Sequence, residues 1–375
     1  MKRLFWILTL LLCCMQGFSQ TNKVASNKQV ATTTVKKPTA TKPTTNKPAA
    51  NATVTNNTSN KNASVNKPTA NNTTTSKPAA NNTTTNSSTP QATCGYLCNP
   101  PLPYLPSKLD ILFIGNSFSI DTSTALPEIF NSLGISNVNV YVLYKGGCSM
   151  KQHYEYYKSG EKVYELYRYS VLGEQLLEKA TSINDVMRRY PYDVVVFQQY
   201  SLESGDYSTY EPYLSKLIQA YNISKISART TFAFNETWAY ASNNKSLSKY
   251  KTTTGMWKSI CTSIKKMKAA SGIDIVIPCG TAVQNARSVE TLNVDNELTR
   301  DGLHINLYAG RYLLACTFFE SIIAPCLNRS IRDDITIYGK GTDIGQVNNS
   351  NRRLLQNCAR LAVANNYDIS EFVGQ

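Results

Sequence analysis

The 375-residue chain carries 39 Lys and Arg against 25 Asp and Glu, a formal net charge of +14. Residues 1–93 hold 11 of the basic residues and no acid, so they supply +11 and leave +3 for the rest. The part from Cys94 onward is near neutral and has no basic cluster, which excludes nucleic-acid binding as its work.

Residues 1–19 have a basic start at Lys2-Arg3, an apolar run from Leu4 to Cys14, and small residues, Gly17 and Ser19, before a cut after Ser19. That is the pattern of a secretory signal peptide, so the chain is expected to be exported to the periplasm, cell surface or exterior. The run is shorter than the roughly 20 residues that span a bilayer, and no later segment reads as long and apolar enough to cross one. Residues 20–93 are almost entirely Thr, Asn, Lys, Ala, Pro, Ser and Val, with near-repeats such as Lys67-Pro68-Thr69-Ala70-Asn71-Asn72 and Lys77-Pro78-Ala79-Ala80-Asn81-Asn82. Such a segment buries too little apolar surface to offset its ordering entropy. It reads as a disordered, semi-stiff spacer whose basic charge suits anionic cell-surface polymers. Ten cysteines become eight once Cys13 and Cys14 leave with the leader. An even number in an exported chain permits disulfides, and Cys94 and Cys98 pair locally or staple the start of the domain elsewhere. Cys279 and Cys316 lie in apolar runs and read as small buried hydrophobes.

From residue 94 to 330 the pattern becomes that of one α/β domain, followed by a C-terminal extension, 331–375, that ends in a helix packed back on it. Strands are expected at 109–114, 138–144, 193–197, 226–234 and 273–278. Helices are expected at about 122–133, 180–189, 209–221, 246–271, 306–324 and 351–365. A short further helix after the second strand carries His153. Repeated βα units with near-continuous apolar strands imply a parallel sheet covered on both faces.

Gly115-Asn116-Ser117-Phe118-Ser119 follows the first strand and opens a helix. This places Ser117 at the carboxyl edge of the sheet, where open α/β sheets bind ligands. Asp301-Gly302-Leu303-His304 lies far downstream, and His304 is one of only two histidines. Together they supply the parts of a Ser-His-Asp hydrolase: Ser117 as nucleophile, His304 as general base and acid, Asp301 as its orienting partner. The bland alternatives are that Ser117 caps a helix and that Asp301 caps the helix starting near Asn306. The other histidine, His153, is the rival base, a pocket-lining residue or a structural one. Gly146-Gly147-Cys148-Ser149 follows the second strand; the Gly147 N–H is a candidate second oxyanion donor beside that of Ser117, or the turn is an ordinary one. No cysteine pair or histidine stands at zinc spacing from Cys94 and Cys98, so no metal or cofactor is expected. Trp238, Tyr240 and residues 280–287 follow the fourth and fifth strands and are expected to rim the site, as aromatic and amide groups that suit a sugar.

Four segments, 115–119, 146–149, 198–201 and 299–304, resemble in order those of a secreted bacterial branch of the SGNH/GDSL hydrolases that is catalogued as a domain of unknown function. The resemblance spans about residues 108–325. It implies a flavodoxin-like three-layer sandwich with a five-stranded parallel sheet, and a serine esterase acting on an ester substrate, an O-acyl group on a carbohydrate foremost. The wider superfamily has Gly-x-Asn-Asp where this chain has Gln198-Gln199-Tyr200-Ser201, and its Asn side chain is the third oxyanion donor. By that resemblance Gln199 or Gln198 substitutes as the donor. The altered segment also admits a non-catalytic glycan-binding or envelope-associated module, and a lipase or thioesterase is a third reading.

Because residues 21–93 are expected to contribute no core, deleting them leaves the thermal midpoint of the remaining chain nearly unchanged in differential scanning calorimetry. A large drop would show that the spacer is part of the folded unit.

Overall fold

The computed structural model describes residues 101–293, 295–333 and 347–370. The expected leader and spacer, Cys94, Cys98 and much of the expected C-terminal extension lie outside the described residues. The first strand, β1 (Leu109–Gly115), is buried at every position. An apolar strand of this kind is stable only with parallel neighbours on both sides and helices on both faces. It pairs in parallel with β2 (Val138–Tyr144) on one side and β5 (Val194–Phe197) on the other. Beyond β5 run β6 (Thr231–Asn235) and β7 (Ile275–Ile277), also parallel.

Outside β2 a hairpin adds β3 (Tyr164–Ser170) and β4 (Gly173–Thr181), both pairs antiparallel. The sheet therefore has seven strands, in the order β4-β3-β2-β1-β5-β6-β7, instead of the five expected. The five parallel strands are those the sequence marks, and their order is the flavodoxin-like 2-1-3-4-5. The hairpin escapes a periodicity reading because β4 is an edge strand exposed along most of its length. It has no apolar face to alternate.

The helices are α1 (Ser117–Ser123), α2 (Leu126–Ser132), α3 (Met150–Ser159), α4 (Ile183–Met187), α5 (Tyr213–Ser224), α6 (Thr253–Ala270), α7 (Cys279–Arg287), α8 (Ala309–Phe318) and α9 (Arg352–Ala364). Several depart from expectation. The helix expected at 122–133 is two, with Pro127 in the first turn of α2. The residues at 226–230 are irregular, and β6 begins only at Thr231. The helix expected at 180–189 is the five-residue α4, because Thr181 still belongs to β4. α8 continues through a π turn, Phe319–Ile323, into Ala324–Leu327. The stretch Ala309–Leu327 is 19 residues with mean hydropathy 1.2, so one later segment does reach membrane-spanning length and apolarity. Most of it is buried inside the domain, where an all-round apolar helix is a core helix.

α1, α2, α7, α8 and α9 pack together on one face, and α3, α4 and α5 on the other. α9 is held to the domain by Gln356 Nε2 donating to the Tyr312 hydroxyl, at 2.9 Å, and by Asn285 Nδ2 donating to the Cys358 carbonyl, at 3.3 Å. Among the described residues every cysteine is a free thiol, and Cys279 and Cys316 are fully buried.

Candidate active site

β1 lies where the order of the parallel strands reverses, so the residues that follow it enter the crevice at the carboxyl edge. The chain turns there through Asn116, whose carboxamide oxygen caps α1 by accepting from the Phe118 N–H at 3.1 Å. Gly115 is required by close approach: a Cβ there would lie 2.1 Å from Ser119 Oγ. Ser117 is the first residue of α1 and is partly exposed. Its N–H has no acceptor among the described residues, as expected of a first-turn amide.

The histidine segment is a closed loop. Thr299 and Ile305 form an antiparallel bridge, and the Arg300 N–H donates to the His304 carbonyl at 2.9 Å. Gly302 takes a left-handed φ of 79°, which suits glycine at the tip. One oxygen of Asp301 accepts from the N–H groups of Leu303, at 2.9 Å, and His304, at 2.7 Å. The other oxygen lies 2.6 Å from His304 Nδ1. His304 Nε2 lies 2.9 Å from Ser117 Oγ. Asp301 is about half exposed, with 48% of its side chain accessible. Partial burial pushes its carboxyl upward, but the His304 side chain and the two loop N–H groups outweigh this and hold it below the ordinary carboxylate range.

Asp121 fastens this loop to the serine helix. It lies on α1, one turn beyond Ser117, and is fully buried. Its carboxylate takes Arg300 Nη1 at 3.0 and 3.1 Å. Arg311, on α8, reaches it through Nε at 3.1 Å and Nη2 at 2.8 Å. Arg300 also donates to the Ile305 carbonyl at the loop's base. An aromatic stack adds a second tie. The Phe118 ring stacks on that of Trp238, with centroids 3.9 Å apart and planes nearly parallel at 3°, and meets His304 edge-on at 5.9 Å. Trp238 Nε1 donates to the Leu303 carbonyl at 2.8 Å.

The two glutamines do not serve as the resemblance implies. Gln199 Oε1 accepts from the N–H groups of Met150, at 2.9 Å, and Tyr200, at 2.8 Å. Its Nε2 donates to the Thr209 carbonyl and hydroxyl, at 2.9 and 3.0 Å. Every polar atom of that side chain is committed to holding α3 and the loop after β5. Gln198 is fully buried and donates to Asn116 Oδ1 at 2.8 Å. It accepts from Ser119 Oγ at 3.0 Å and from Asn235 Nδ2 at 3.1 Å. Asn116 Nδ2 in turn donates to the Cys148 carbonyl at 3.2 Å. Side chains alternate along a strand, and here each direction ends in a structural network beneath the serine. Neither glutamine faces Ser117 as an oxyanion donor.

His153 is likewise removed from the chemistry. It is fully buried, with Nδ1 at 2.9 Å from the Tyr164 hydroxyl and 3.5 Å from Cys148 Sγ. Burial pushes its pKa down to about 3, so it is a neutral core residue and neither the base nor part of the pocket wall. Gly147 does lie in an exposed turn, and its N–H has no acceptor among the described residues. Ser149 caps α3 in a capping box with Gln152. Trp238 and Tyr240, expected at the rim, are both buried beneath it. Asp121, Arg311 and Asn235 are the site-forming residues that sequence reasoning missed. The only signal for the first was a charge placed on a helix whose other faces are buried.

The chain belongs to the DUF4886 family, described as a domain of unknown function, whose model matches residues 110–348. No curated protein matches it. Among solved structures it is similar to a DUF4886 family protein from Bacteroides uniformis, with 27% identity, 70% of this chain and 98% of that chain covered, and a TM-score of 0.62. It is also similar to a protein from Slackia heliotrinireducens that is assigned to the SGNH hydrolases, with 19% identity, coverage of 57% and 98%, and a TM-score of 0.41. A catalytic mutant of an acetylxylan esterase from Geobacillus stearothermophilus is a third, with 12% identity, coverage of 58% and 96%, and a TM-score of 0.37.

Two outcomes follow from these contacts. Asp121→Asn leaves two guanidinium groups facing a neutral amide; removing one partner of a buried ion pair costs about 3–5 kcal/mol. Urea unfolding is expected to show a loss of that size, and Arg300→Met, on a side chain one-third exposed, a smaller one. His153 titrates near 6.5 when unfolded and near 3 when folded, so the unfolded state binds more protons between those values. Stability therefore rises with pH across that window, by up to about 1.4 kcal/mol per unit from this group. In His153→Gln the slope measured by urea unfolding from pH 4 to 6 shrinks by as much as one proton's share.

Proposed function

We propose that the protein is an exported serine hydrolase that cleaves ester bonds, acting on O-acyl groups carried by a carbohydrate. The observation that carries the hydrolase reading is the continuous chain Asp301–His304–Ser117, with heavy-atom separations of 2.6 and 2.9 Å. Those distances lie within the hydrogen-bond range that activation of a serine requires. Ser117 Oγ attacks the acyl carbon while its proton passes to His304 Nε2. Asp301 holds the Nδ1–H tautomer and stabilises the imidazolium. The N–H groups of Ser117 and Gly147 are the donors offered to the oxygen that becomes negative. Collapse breaks the bond to the leaving alcohol, which takes the proton from His304. Water then attacks the acyl-serine by the same route, releasing the acid and restoring Ser117.

The carbohydrate reading is supported by the openness of the site. Ser117, His304 and the Gly146-Gly147 turn all reach solvent, and half-buried Tyr144 and Tyr200 stand beside that turn. A shallow aromatic rim suits a small acyl group on a polymer better than a long acyl chain, which needs an enclosed apolar slot. Export is supported by residues 1–19 alone. One observation favours a second reading, a glycan-binding module with little turnover: neither Gln198 nor Gln199 supplies a third oxyanion donor.

Labelling with a fluorophosphonate, together with hydrolysis of p-nitrophenyl acetate, separates the two. The enzyme reading expects covalent labelling at Ser117, abolished in Ser117→Ala, with kcat lowered by at least about 10⁴-fold. Asp301→Asn is expected to lower kcat by up to about 10⁴-fold with little change in KM. Wild-type protein that neither labels nor turns over would leave the binding module as the reading.

A further inference from the structure

A second feature of the carboxyl edge is unrelated to the serine. The loop after β6, the start of α6, the last turns of α7 and the loop after it line an open cavity of about 370 Å³. Its lining includes Lys251, Thr253, Thr254, Gln284, Arg287 and Glu297. α6 is 18 residues long and has no acidic residue in its first turn, so nothing on the helix offsets the positive end of its dipole. Thr252 caps it by accepting from the Gly255 N–H, at 2.9 Å. The N–H groups of Thr253 and Thr254 have no acceptor among the described residues.

The side chains around this helix end point to a ligand independently. Arg287 is 8% exposed and Gln284 9% exposed. Arg287 donates through Nε to the Glu297 carbonyl and through Nη1 to the Ala239 carbonyl, both at 3.0 Å. Its Nη2 has no partner, and neither has Gln284 Oε1 nor Thr253 Oγ1. Three buried polar atoms left unpaired around one cavity are costly unless something satisfies them. Burial pushes the Arg287 pKa down, against the pull of Glu297, to about 10, so the group stays charged at neutral pH. The one carboxylate in the lining, Glu297, accepts from the Ser242 N–H through both oxygens, at 3.2 Å. Arg287 offsets its charge.

We propose that this cavity is a binding site for a small oxyanion that also carries a hydroxyl group, such as a sugar acid or hydrogen phosphate. The anionic oxygens meet the Arg287 guanidinium, the Thr253 hydroxyl and the free N–H groups of α6, an arrangement that favours anions at helix starts. The ligand hydroxyl donates to Gln284 Oε1, the lone acceptor of the unpaired set. Glu297 is held by a left-handed run, Asn296, Glu297 and Leu298, with φ of 55°, 58° and 64°. That run leads directly into the Thr299–His304 segment.

Isothermal titration of the full chain at fixed ionic strength tests the site, with inorganic phosphate, D-glucuronate and neutral D-glucose as probes. The expected result is saturable one-site binding of phosphate or glucuronate and none of glucose. Which anion binds distinguishes a free phosphate from a sugar acid. Gln284→Glu places a like charge beside the anion and is expected to weaken binding roughly tenfold or more. Thr253→Val removes one hydroxyl and weakens it several-fold. The basic N-terminal segment is common to all forms, so the difference between them reports the cavity. Unliganded melting checks that each variant folds, and if Gln284→Glu does not, Thr253→Val decides. Absence of saturable binding, or binding unchanged in the folded variants, overturns the assignment.

Discussion

A carboxylate without water needs positive partners, and Asp121 has none on its own helix. Both come from far along the chain, Arg300 and Arg311, and both reach it within 3.1 Å. The ionised group cannot remain buried unless the histidine loop and α8 close over α1. The same closure brings His304 against Ser117. The geometry of the candidate triad therefore rests on a cluster of three charged side chains, none of which bonds the side chain of Ser117 or His304.

Beneath the serine, amides perform the corresponding task. Asn116, Gln198 and Asn235 pass hydrogen bonds from β1 to β5 to β6, with Ser119 and Thr122 of α1 joined in. Gln199 does the same for α3 and the loop after β5. A connected buried network rigidifies what it supports; here Asn235 Oδ1 alone of these amide atoms has no partner. This accounts for glutamines where a shorter amide was expected at the oxyanion: their longer arms reach across the sheet. With Asp301 half exposed, the candidate site is more solvated than a buried triad, and its fields are correspondingly more screened.

Much of the site was legible because its residue types are rare or placed by strong local rules. With two histidines in the chain, one of them three residues after an aspartate, His304 and Asp301 were identifiable without coordinates. Ser117 followed from an apolar strand running into a glycine-led turn. What was not legible was direction. A glutamine at a strand end announces an amide but not its partner, so Gln198 and Gln199 were assigned to the oxyanion and lie in the scaffold. His153 was a rival base by scarcity alone; its place on the buried side of α3, against Tyr164, makes it core.

The sequence by itself determined the five parallel strands, the opening of α1 at Ser117 and the separation of a near-neutral part from the basic residues 1–93. Apolar runs, turn glycines and charge are properties of neighbouring residues and need no distant partner. Only the tertiary structure decided the β3–β4 hairpin, since an edge strand exposed along its length has no periodic face to read. It also decided the pairing of Asp121 with two arginines, the direction of each glutamine amide, and the unpaired atoms around the start of α6. The ion pairs of Asp121 and the bonds from Gln198 to Asn116 and from Gln199 to Met150 join residues tens to nearly two hundred positions apart. Hydrogen bonds and ion pairs of that span are set by how strands and helices stack, which the local pattern does not encode.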